Sequence, residues 1–206
     1  MKGKIIHYAL RKNISKKNVS SFVENRLENA FDDETPPNLR EEIIGDLFKI
    51  FESDEFKFIN SFPKFRNVFV VFLKEGDYYL FGILDKLIID EKKIIIIDYK
   101  TDNIKENELN SRAGKYLPQL QFYAYIVSRL LGKSWKIEAR IIFIKFPEKP
   151  FVFKYDDVSD SSIKSGINSM IMSIRNSNYS VNLSVCNDCI FPDYNSQCLK
   201  IKSQIN

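Results

Sequence analysis

The feature that most constrains the fold is a pair of apolar segments separated by a short polar run. The segments YYLFGILDKLII and KKIIIIDYK flank a polar stretch around Asp90 to Lys93. Their β-branched and aromatic residues predict two strands joined in an antiparallel hairpin. A two-residue loop at Glu91 and Lys92 and a four-residue loop at 90–93 give the same register, in which the numbers of paired residues add up to 183. This register places Asp85 opposite Asp98.

The hairpin brings three charged side chains to one patch of the sheet. Opposed residues have Cβ atoms about 4.5 to 5.5 Å apart, and Asp98 and Lys100 share a face while Tyr99 points away. Two carboxylates about 4 Å apart repel each other by about 4 kcal/mol at an effective dielectric near 20, so a positive partner is required. Two alternatives remain open on spacing alone. One is a divalent cation such as Mg²⁺, which prefers oxygen ligands; the other is an Asp–Lys100 ion pair with the second aspartate solvated.

The remaining pattern predicts an α/β fold. Residues 1–60 have apolar positions at helical spacing and predict two helices, separated by Pro36 and Pro37. A helix over 115–131 ends at Gly132, and a last helix covers 156–175. Strands are predicted near 68–73, 78–89, 93–100, 136–146 and 151–155. The predicted architecture is a small mixed central sheet flanked by helices, in the order αβββαβ.

Length and composition limit the classes of protein. With 206 residues, 44% of them hydrophobic, the chain predicts one domain over 1–206, whose last part, 180–206, contains all the cysteines. No apolar run approaches the roughly 18 residues that a membrane span needs, so we expect no membrane partner and a cytoplasmic location. The net charge of +4 would tolerate a polyanionic partner but does not by itself indicate one.

Four ordered motifs carry a family resemblance. They are GKIIH at 3–7, GILD at 82–85, IIDYKT at 96–101 and YLPQLQFYA at 116–124. Together they resemble the RecB-like branch of the PD-(D/E)xK nucleases, and most closely the C-terminal nuclease domain of AddA- or RecB-type helicase-nucleases, whose motifs read GxxD, DYKT and YxxQLxxY. The resemblance implies a restriction-endonuclease-like core and a Mg²⁺- or Mn²⁺-dependent deoxyribonuclease, with exonuclease activity expected.

The resemblance also implies roles for individual residues. His7, Asp85 and Asp98 would ligate the metal, assisted by the carbonyl of Tyr99. Lys100 would orient the attacking water or help to deprotonate it, and would neutralise charge developing on the phosphate. His7 is the single histidine of the chain. Without the resemblance, a lone histidine near an apolar stretch is more often structural.

Tyr116, Gln119 and Tyr123 follow one another at i, i+3 and i+7 and therefore lie on one helix face. One interpretation is an amphipathic helix that buries its tyrosines. The resemblance implies instead that Gln119 acts in the catalytic site and that all three residues contact DNA, where an amide can bond to a phosphate or water and a ring can stack on a base. Thr101 and Asp102 are interpreted as the strand exit and a turn.

Two features depart from the family pattern. Many relatives carry a glutamate on the strand before GxxD, but NVFVVFL has none and Glu75 falls in the following turn. Cys186, Cys189 and Cys198 resemble three ligands of the iron–sulfur cluster found in some RecB-like nucleases. A cluster needs four ligands, so it would require a fourth from outside this chain. Zinc held by three thiolates, or idle thiols, are the alternatives.

Three functional hypotheses follow. The first is a DNA nuclease that hydrolyses phosphodiester bonds, mainly of single-stranded DNA at ends, during double-strand break processing and recombinational repair. Because the chain begins two residues before Gly3, we expect it to be part of a longer helicase-nuclease, with a helicase region in the same or a partner polypeptide. The second is a catalytically weak DNA-binding or assembly module of a repair complex, and the third is a free-standing defence nuclease.

Overall fold

A computed structural model describes residues 1–29, 36, 38–132 and 134–178 of the chain. The predicted cysteine site and the segment 180–206 lie outside the described residues. The chain divides into two compact units, Met1–Lys164 and Ser165–Asn206. The sheet and every site residue discussed below belong to the first unit.

The described residues form six α-helices and five β-strands. The helices are α1 Lys2–Lys12, α2 Val19–Glu28, α3 Leu39–Glu52, α4 Asp54–Asn60, α5 Leu109–Leu131 and α6 Asp157–Arg175. The strands are β1 Phe65–Glu75, β2 Tyr78–Asp90, β3 Lys93–Lys100, β4 Lys136–Phe143 and β5 Phe151–Lys154. None of the helices in the described ranges is both long enough and apolar enough to span a bilayer.

The five strands form one mixed sheet in the order β1-β2-β3-β4-β5. β3 and β4 are parallel and every other neighbouring pair is antiparallel. A parallel pair needs a long crossover connection, and α5 supplies it between β3 and β4. The predicted α/β class, with a small mixed sheet flanked by helices, is confirmed.

β3 lies at the centre of the sheet and is buried on both faces. Ile95 and Ile97 join the apolar cluster formed with α1, α2, α3 and α4, whereas Ile94 and Ile96 point to the opposite face. All four isoleucines are inaccessible to solvent. A strand covered on both faces requires an unbroken apolar run rather than alternation, which accounts for the IIII sequence.

The predicted hairpin register is confirmed. Asp90 pairs with Lys93 and Lys86 pairs with Ile97, so the loop consists of Glu91 and Lys92. Glu91 has φ 44°, the left-handed conformation that two-residue hairpin loops require. The regular ladder ends at Lys86, and the next pair in this register is Asp85 with Asp98.

The N-terminal region differs from the prediction, because the described residues of 1–60 form four α-helices instead of two. Asn13 ends α1 in the left-handed conformation, with φ 48°. Ser53 ends α3 and begins α4, where its hydroxyl accepts a hydrogen bond from the N–H of Phe56. Asparagine and serine are typical of such helix ends. Glu75 is the last residue of β1 and does not fall in the following turn.

The β1–β2 hairpin extends beyond β3. Residues 69–84, which we call the distal hairpin, pair only with each other. One face of the distal hairpin is covered, with Val71, Leu80 and Leu84 buried. The outer face exposes five large apolar side chains: Val70, Phe72, Tyr79, Phe81 and Ile83. The two parts of the hairpin meet at Asp85.

Candidate active site

Asp85 connects helix α1 to strand β3. Its Oδ1 lies 3.3 Å from Nδ1 of His7, and its Oδ2 accepts a hydrogen bond of 2.9 Å from the backbone N–H of Tyr99. The Tyr99 ring itself is buried in the apolar cluster that β3 forms with helices α1 to α4. The carboxylate of Asp85 is therefore fixed at both oxygens, while a quarter of its side chain stays accessible.

His7 reaches the site because α1 begins very close to the end of β3. A Cβ atom on Gly3 would lie 2.7 Å from Oγ1 of Thr101, so any larger residue would require the Thr101 side chain to shift. His7 follows one helical turn later and contacts Asp85. The hydrogen bond with Asp85 raises the pKa of His7 above its ordinary value, although burial acts in the opposite direction.

Asp98 is the most buried charged group of the site, with 4% of its surface exposed. Burial raises its pKa to about 6, although the nearby Lys100 opposes the shift. The Nζ of Lys100 lies 2.7 Å from Oδ2 of Asp98. Within the part of the chain that the structure describes, this buried oxygen has no hydrogen-bond partner, so its contact with the ammonium is one of charge. Asp98 thus carries an oxygen that is paired in charge but not in hydrogen bonding.

Lys100 is held from the other side by helix α5. Its Nζ donates a 2.9 Å hydrogen bond to Oε1 of Gln119 and lies 4.3 Å from the centre of the Tyr116 ring. The Nε2 of Gln119 donates to the hydroxyl of Tyr123 at 2.8 Å. Both polar atoms of the Gln119 amide are therefore engaged. The lysine side chain is only 16% exposed.

Asp102 participates in this arrangement, although the sequence placed it in a turn. The Tyr116 hydroxyl donates a 2.8 Å hydrogen bond to Oδ1 of Asp102, and Nε of Arg112 lies 3.5 Å from the same oxygen. Burial, together with this hydrogen bond, raises the pKa of Tyr116 to about 12. The sequence contained a signal for this position. Asp102 stands two residues after Lys100, so an extended chain would place both side chains on the same face.

Tyr123 packs against the glycine of the GILD motif. Its side chain is 8% exposed, and a Cβ atom on Gly82 would lie 3.0 Å from Cε1 of the ring and 3.2 Å from Cγ2 of Val71. The glycine therefore leaves room for the ring that supports Gln119. The motifs at 82–85 and 116–124 are in contact through this pair.

The structure brings the predicted site residues of the first unit together at the C-terminal end of β3. Those in mutual contact are His7, Asp85, Tyr99, Asp98, Lys100, Gln119, Tyr116 and Tyr123. Within the described residues, no group of three histidine, cysteine, aspartate or glutamate side chains is arranged to hold a metal ion. The donor types nevertheless suit Mg²⁺ or Mn²⁺. The buried Asp98 oxygen without a hydrogen bond is the atom that a cation would satisfy.

An aspartate on one strand and an Asp-x-Lys sequence on the next define the class of this site. Sites that hydrolyse phosphodiesters combine carboxylates that bind a cation with a cationic side chain that stabilises charge on the phosphate. The sequence model of the PD-(D/E)XK nuclease superfamily matches residues 1–198. The chain therefore belongs to the PD-(D/E)XK nuclease superfamily.

Individual relatives share a shorter segment. The chain is 39% identical over 62 residues to an ATP-dependent helicase/nuclease subunit from Clostridioides difficile (strain 630), covering 30% of this chain and 5% of that protein. It is 35% identical over 68 residues to the protein of the same name from Carboxydothermus hydrogenoformans, covering 33% of this chain and 6% of the relative. The matches thus span only a small part of these relatives' length.

A solved structure shares the fold. A candidate exonuclease from Eubacterium rectale superposes with a TM-score of 0.50 at 12% sequence identity, covering 88% of this chain and 75% of that protein. At this level of identity the similarity concerns the fold alone. It agrees with the mixed five-stranded sheet flanked by helices.

Proposed function

We propose that this chain is a metal-dependent deoxyribonuclease that hydrolyses phosphodiester bonds of DNA. The observation that carries the proposal is the convergence of Asp85, Asp98 and Lys100, with the lysine held by Gln119. Membership of a nuclease superfamily supports the same reaction class. Two carboxylates and one amine within a partly buried site are what metal-assisted hydrolysis of a phosphodiester requires.

Asp85 and Asp98 would hold Mg²⁺ or Mn²⁺, together with His7 and the carbonyl oxygen of Tyr99. A bound ion of this type supplies Lewis-acid activation of a phosphoryl oxygen and acidifies a coordinated water. Asp85 is the preorganised ligand, because its carboxylate is already fixed by two contacts. Asp98 would gain a partner for its buried oxygen.

Lys100 would orient the attacking water or help to deprotonate it, and would neutralise negative charge as the phosphate adds its fifth oxygen. Gln119 fixes the direction of the ammonium by accepting a hydrogen bond from it, and is assigned to the catalytic group for that reason. We also propose that Gln119, Tyr116 and Tyr123 form the wall of the site that contacts DNA. Backbone contacts without base readout would suffice for cleavage of any sequence.

The proposed substrate is single-stranded DNA at ends, degraded by exonuclease action during break repair and recombination. The relatives are named as subunits of an ATP-dependent helicase/nuclease, which supports a helicase region in the same or a partner polypeptide. Such a region would separate the strands and deliver one of them to Lys100. The cytoplasm, where bacterial helicase-nucleases meet DNA, is the proposed location.

A second candidate function is a DNA-binding or assembly module with little activity. One observation favours it: Val68 is the β1 residue opposite Asp85 in the register, so β1 offers no carboxylate there. Glu75 cannot supply this carboxylate, because its two oxygens, at 2.7 and 2.8 Å, already accept hydrogen bonding from the Tyr125 hydroxyl. A free-standing defence nuclease would use the same site as the first candidate.

The deciding experiment compares the parent chain with Lys100→Ala and with Lys154→Ala, an exposed lysine on β5. Each is incubated with end-labelled single-stranded DNA in Mn²⁺ and in EDTA. The proposal expects degradation by the parent and by Lys154→Ala in Mn²⁺ only, and none by Lys100→Ala. Equal inertness of all three with retained DNA binding would favour the module.

A further inference from the structure

Helix α1 carries two cations beside the catalytic site that have no acidic partner among the described residues. Lys4, His7 and Arg11 stand at i, i+3 and i+7 and share one helix face. Lys2, by contrast, pairs with Glu42 and Asp46. The residues around a cavity of about 270 Å³ include Lys4, His7, Arg11, Val68 and Asp85. Lys4 and Arg11 therefore place unneutralised positive charge in the same cavity as the catalytic carboxylate.

We propose that this cavity and the outer face of the distal hairpin form a binding track for one strand of DNA. In the track, Lys4 and Arg11 contact phosphates and the aromatic rings of the hairpin stack on bases. The inference rests on the proposed function, since it names the way in which the substrate of that site is held. It adds residues that lie outside the four sequence motifs, together with Lys4 and Ile83, which lie within a motif but had no assigned role.

The charge of the cavity indicates a polyanion. Lys4 and Arg11 are held by one helix and form no ion pair within the described residues, so both side chains can attract a phosphate. Their neighbour His7 contacts Asp85, so a phosphate bound by Lys4 and Arg11 lies next to the position of cleavage. Such contacts fix the position of the backbone and carry no sequence information.

The outer face of the distal hairpin has the chemistry of a stacking surface. Phe72, Tyr79 and Phe81 are 61%, 67% and 48% exposed. The rings of Phe72 and Phe81 pack across the strands with centroids 4.8 Å apart, and Nζ of Lys74 lies 5.9 Å from the centre of the Tyr79 ring. Rings supported by a sheet, beside a cation, bind single-stranded nucleic acid without sequence preference.

The two parts of the track are continuous. Residues 79, 81, 83 and 85 of β2 alternate with the covered positions and follow one another along a single face. Phe81 precedes Asp85 by four residues, which corresponds to about 13 Å along a strand. On β1, Val70 leads in the same way to Val68, which lines the cavity. A strand stacked on Phe81 would therefore reach Asp85 without crossing covered surface.

Single-stranded DNA is the occupant that fits both parts. Stacking requires unpaired bases, which a duplex does not offer to a protein surface. An exposed apolar face alone would also suit a protein partner. Lys4 and Arg11, which have no ion-pair partner in the described ranges, favour a polyanion, because burying them against an apolar protein surface would be unfavourable.

The test measures DNA binding without cleavage. All variants are made in Lys100→Ala, in EDTA, and fluorescence anisotropy follows a labelled oligonucleotide as a single strand and as a duplex across a salt series. The basic pair is Lys4→Ala with Arg11→Ala, the aromatic pair is Phe72→Ser with Phe81→Ser, and the control is Lys154→Ala on the opposite edge of the sheet. Thermal unfolding confirms that each variant is folded.

The basic pair should weaken both substrates and reduce the salt dependence, by about 0.7 in the slope of log K against log salt for each phosphate of a single strand that is no longer neutralised. The aromatic pair should weaken the single strand about tenfold or more, with an unchanged salt slope and little effect on the duplex. The control should change neither.

Unchanged single-strand binding by either folded pair would overturn the track. If the aromatic pair instead converts a dimer to a monomer in sedimentation, with DNA binding intact, a second copy covers the hairpin and the proposal is wrong. Failure of the catalytic proposal is separable from this outcome. A parent chain that never cleaves DNA, but whose variants weaken binding as described, retains the track and loses the hydrolysis.

Discussion

Helices α1 and α5, which lie beside β3, differ in how their polar side chains are bonded. On the α5 side, the Gln119 amide and the Tyr116 hydroxyl are bonded within the protein and surround Lys100. On the α1 side, Lys4 and Arg11 line a cavity and have no acidic partner among the described residues. Groups already committed to each other can position a catalytic amine, whereas uncommitted charges can receive a substrate.

This difference separates rate from binding. A change on the α5 side displaces Lys100, so its main expected effect is a lower rate of cleavage, with a smaller loss of the DNA contacts proposed for this side. A change on the α1 side should lower affinity and leave the rate at saturation unchanged. The carboxylates proposed to bind the metal, Asp85 and Asp98, lie between the two sides, and their loss should have the largest effect.

Removing either carboxylate charge should abolish the activity. Asp85→Asn and Asp98→Asn each lose a charged oxygen ligand, so we expect cleavage of single-stranded DNA in Mg²⁺ to fall by about 10³-fold or more. Initial rates under saturating DNA measure this. Asp90→Asn, in the hairpin loop region, is the control and should retain the parent rate. Cleavage by Asp98→Asn within tenfold of the parent would show that this carboxylate is not a ligand.

The α5 side can be tested through the ring beneath Lys100. Tyr116→Leu removes the ring, whereas Tyr116→Phe keeps it and loses the hydrogen bond to Asp102. We expect kcat to fall about 10- to 100-fold for Leu and less for Phe, with KM within about twofold, because a small displacement of a catalytic group is costly. An increase in KM with unchanged kcat would leave Tyr116 with its proposed DNA contact alone and refute its role in positioning Lys100.

The contact between Gly82 and Tyr123 should be sensitive to a single methyl group. In Gly82→Ala the new Cβ meets the Tyr123 ring and Val71, and overpacking of this kind costs about 1 to 3 kcal/mol of the free energy of unfolding. Gly45→Ala is the matched control, since nothing lies within 4 Å of its Cβ position within helix α3. That variant should gain about 0.5 to 1 kcal/mol. If urea unfolding gave Gly82→Ala the same free energy of unfolding as the parent, the close contact would be refuted.

The pH dependence of stability should report the burial of Asp98. Its pKa is raised to about 6 from 3.8, so the folded protein binds this proton more tightly than the unfolded chain does. Stability of the metal-free protein should therefore rise as the pH falls from 7.5 to 5, by about 1 kcal/mol relative to Asp98→Asn. Urea unfolding at both pH values measures the difference. The pKa of His7 is raised too, mainly by its hydrogen bond with Asp85, which both proteins keep. If the parent lost stability relative to Asp98→Asn as the pH fell from 7.5 to 5, the raised pKa of Asp98 would be contradicted.

The hairpin was predictable because its turn and its pattern agree. Glu91 and Lys92 form the two-residue loop, and the alternation of two apolar strands fixes the register that brings Asp85 to Asp98. The β-branched and aromatic residues predicted the strands of the mixed sheet, and Gly132 marked the end of the crossover helix α5. These are local signals, and tertiary packing strengthens them.

Other features depend on contacts between distant residues. Val68 has φ 50°, a conformation that a β-branched residue disfavours, so nothing in the local sequence indicates it. The pairing of Gly3 with Thr101 joins two motifs almost a hundred residues apart. Lys4 and Arg11 become notable only once α1 lies beside Asp85. Helix spacing placed them on the face of His7, but only tertiary structure supplies the cavity.

The most direct test of the catalytic centre is a crystal structure of the chain soaked in Mn²⁺, with the ion located by anomalous scattering. We expect a peak within about 2.3 Å of carboxylate oxygens from both Asp85 and Asp98 and of a nitrogen of His7. Lys100 should stay in contact with Gln119. A peak that contacts neither aspartate, or its absence while Lys100 and Asp98 keep their ion pair, would contradict metal-assisted hydrolysis at this site.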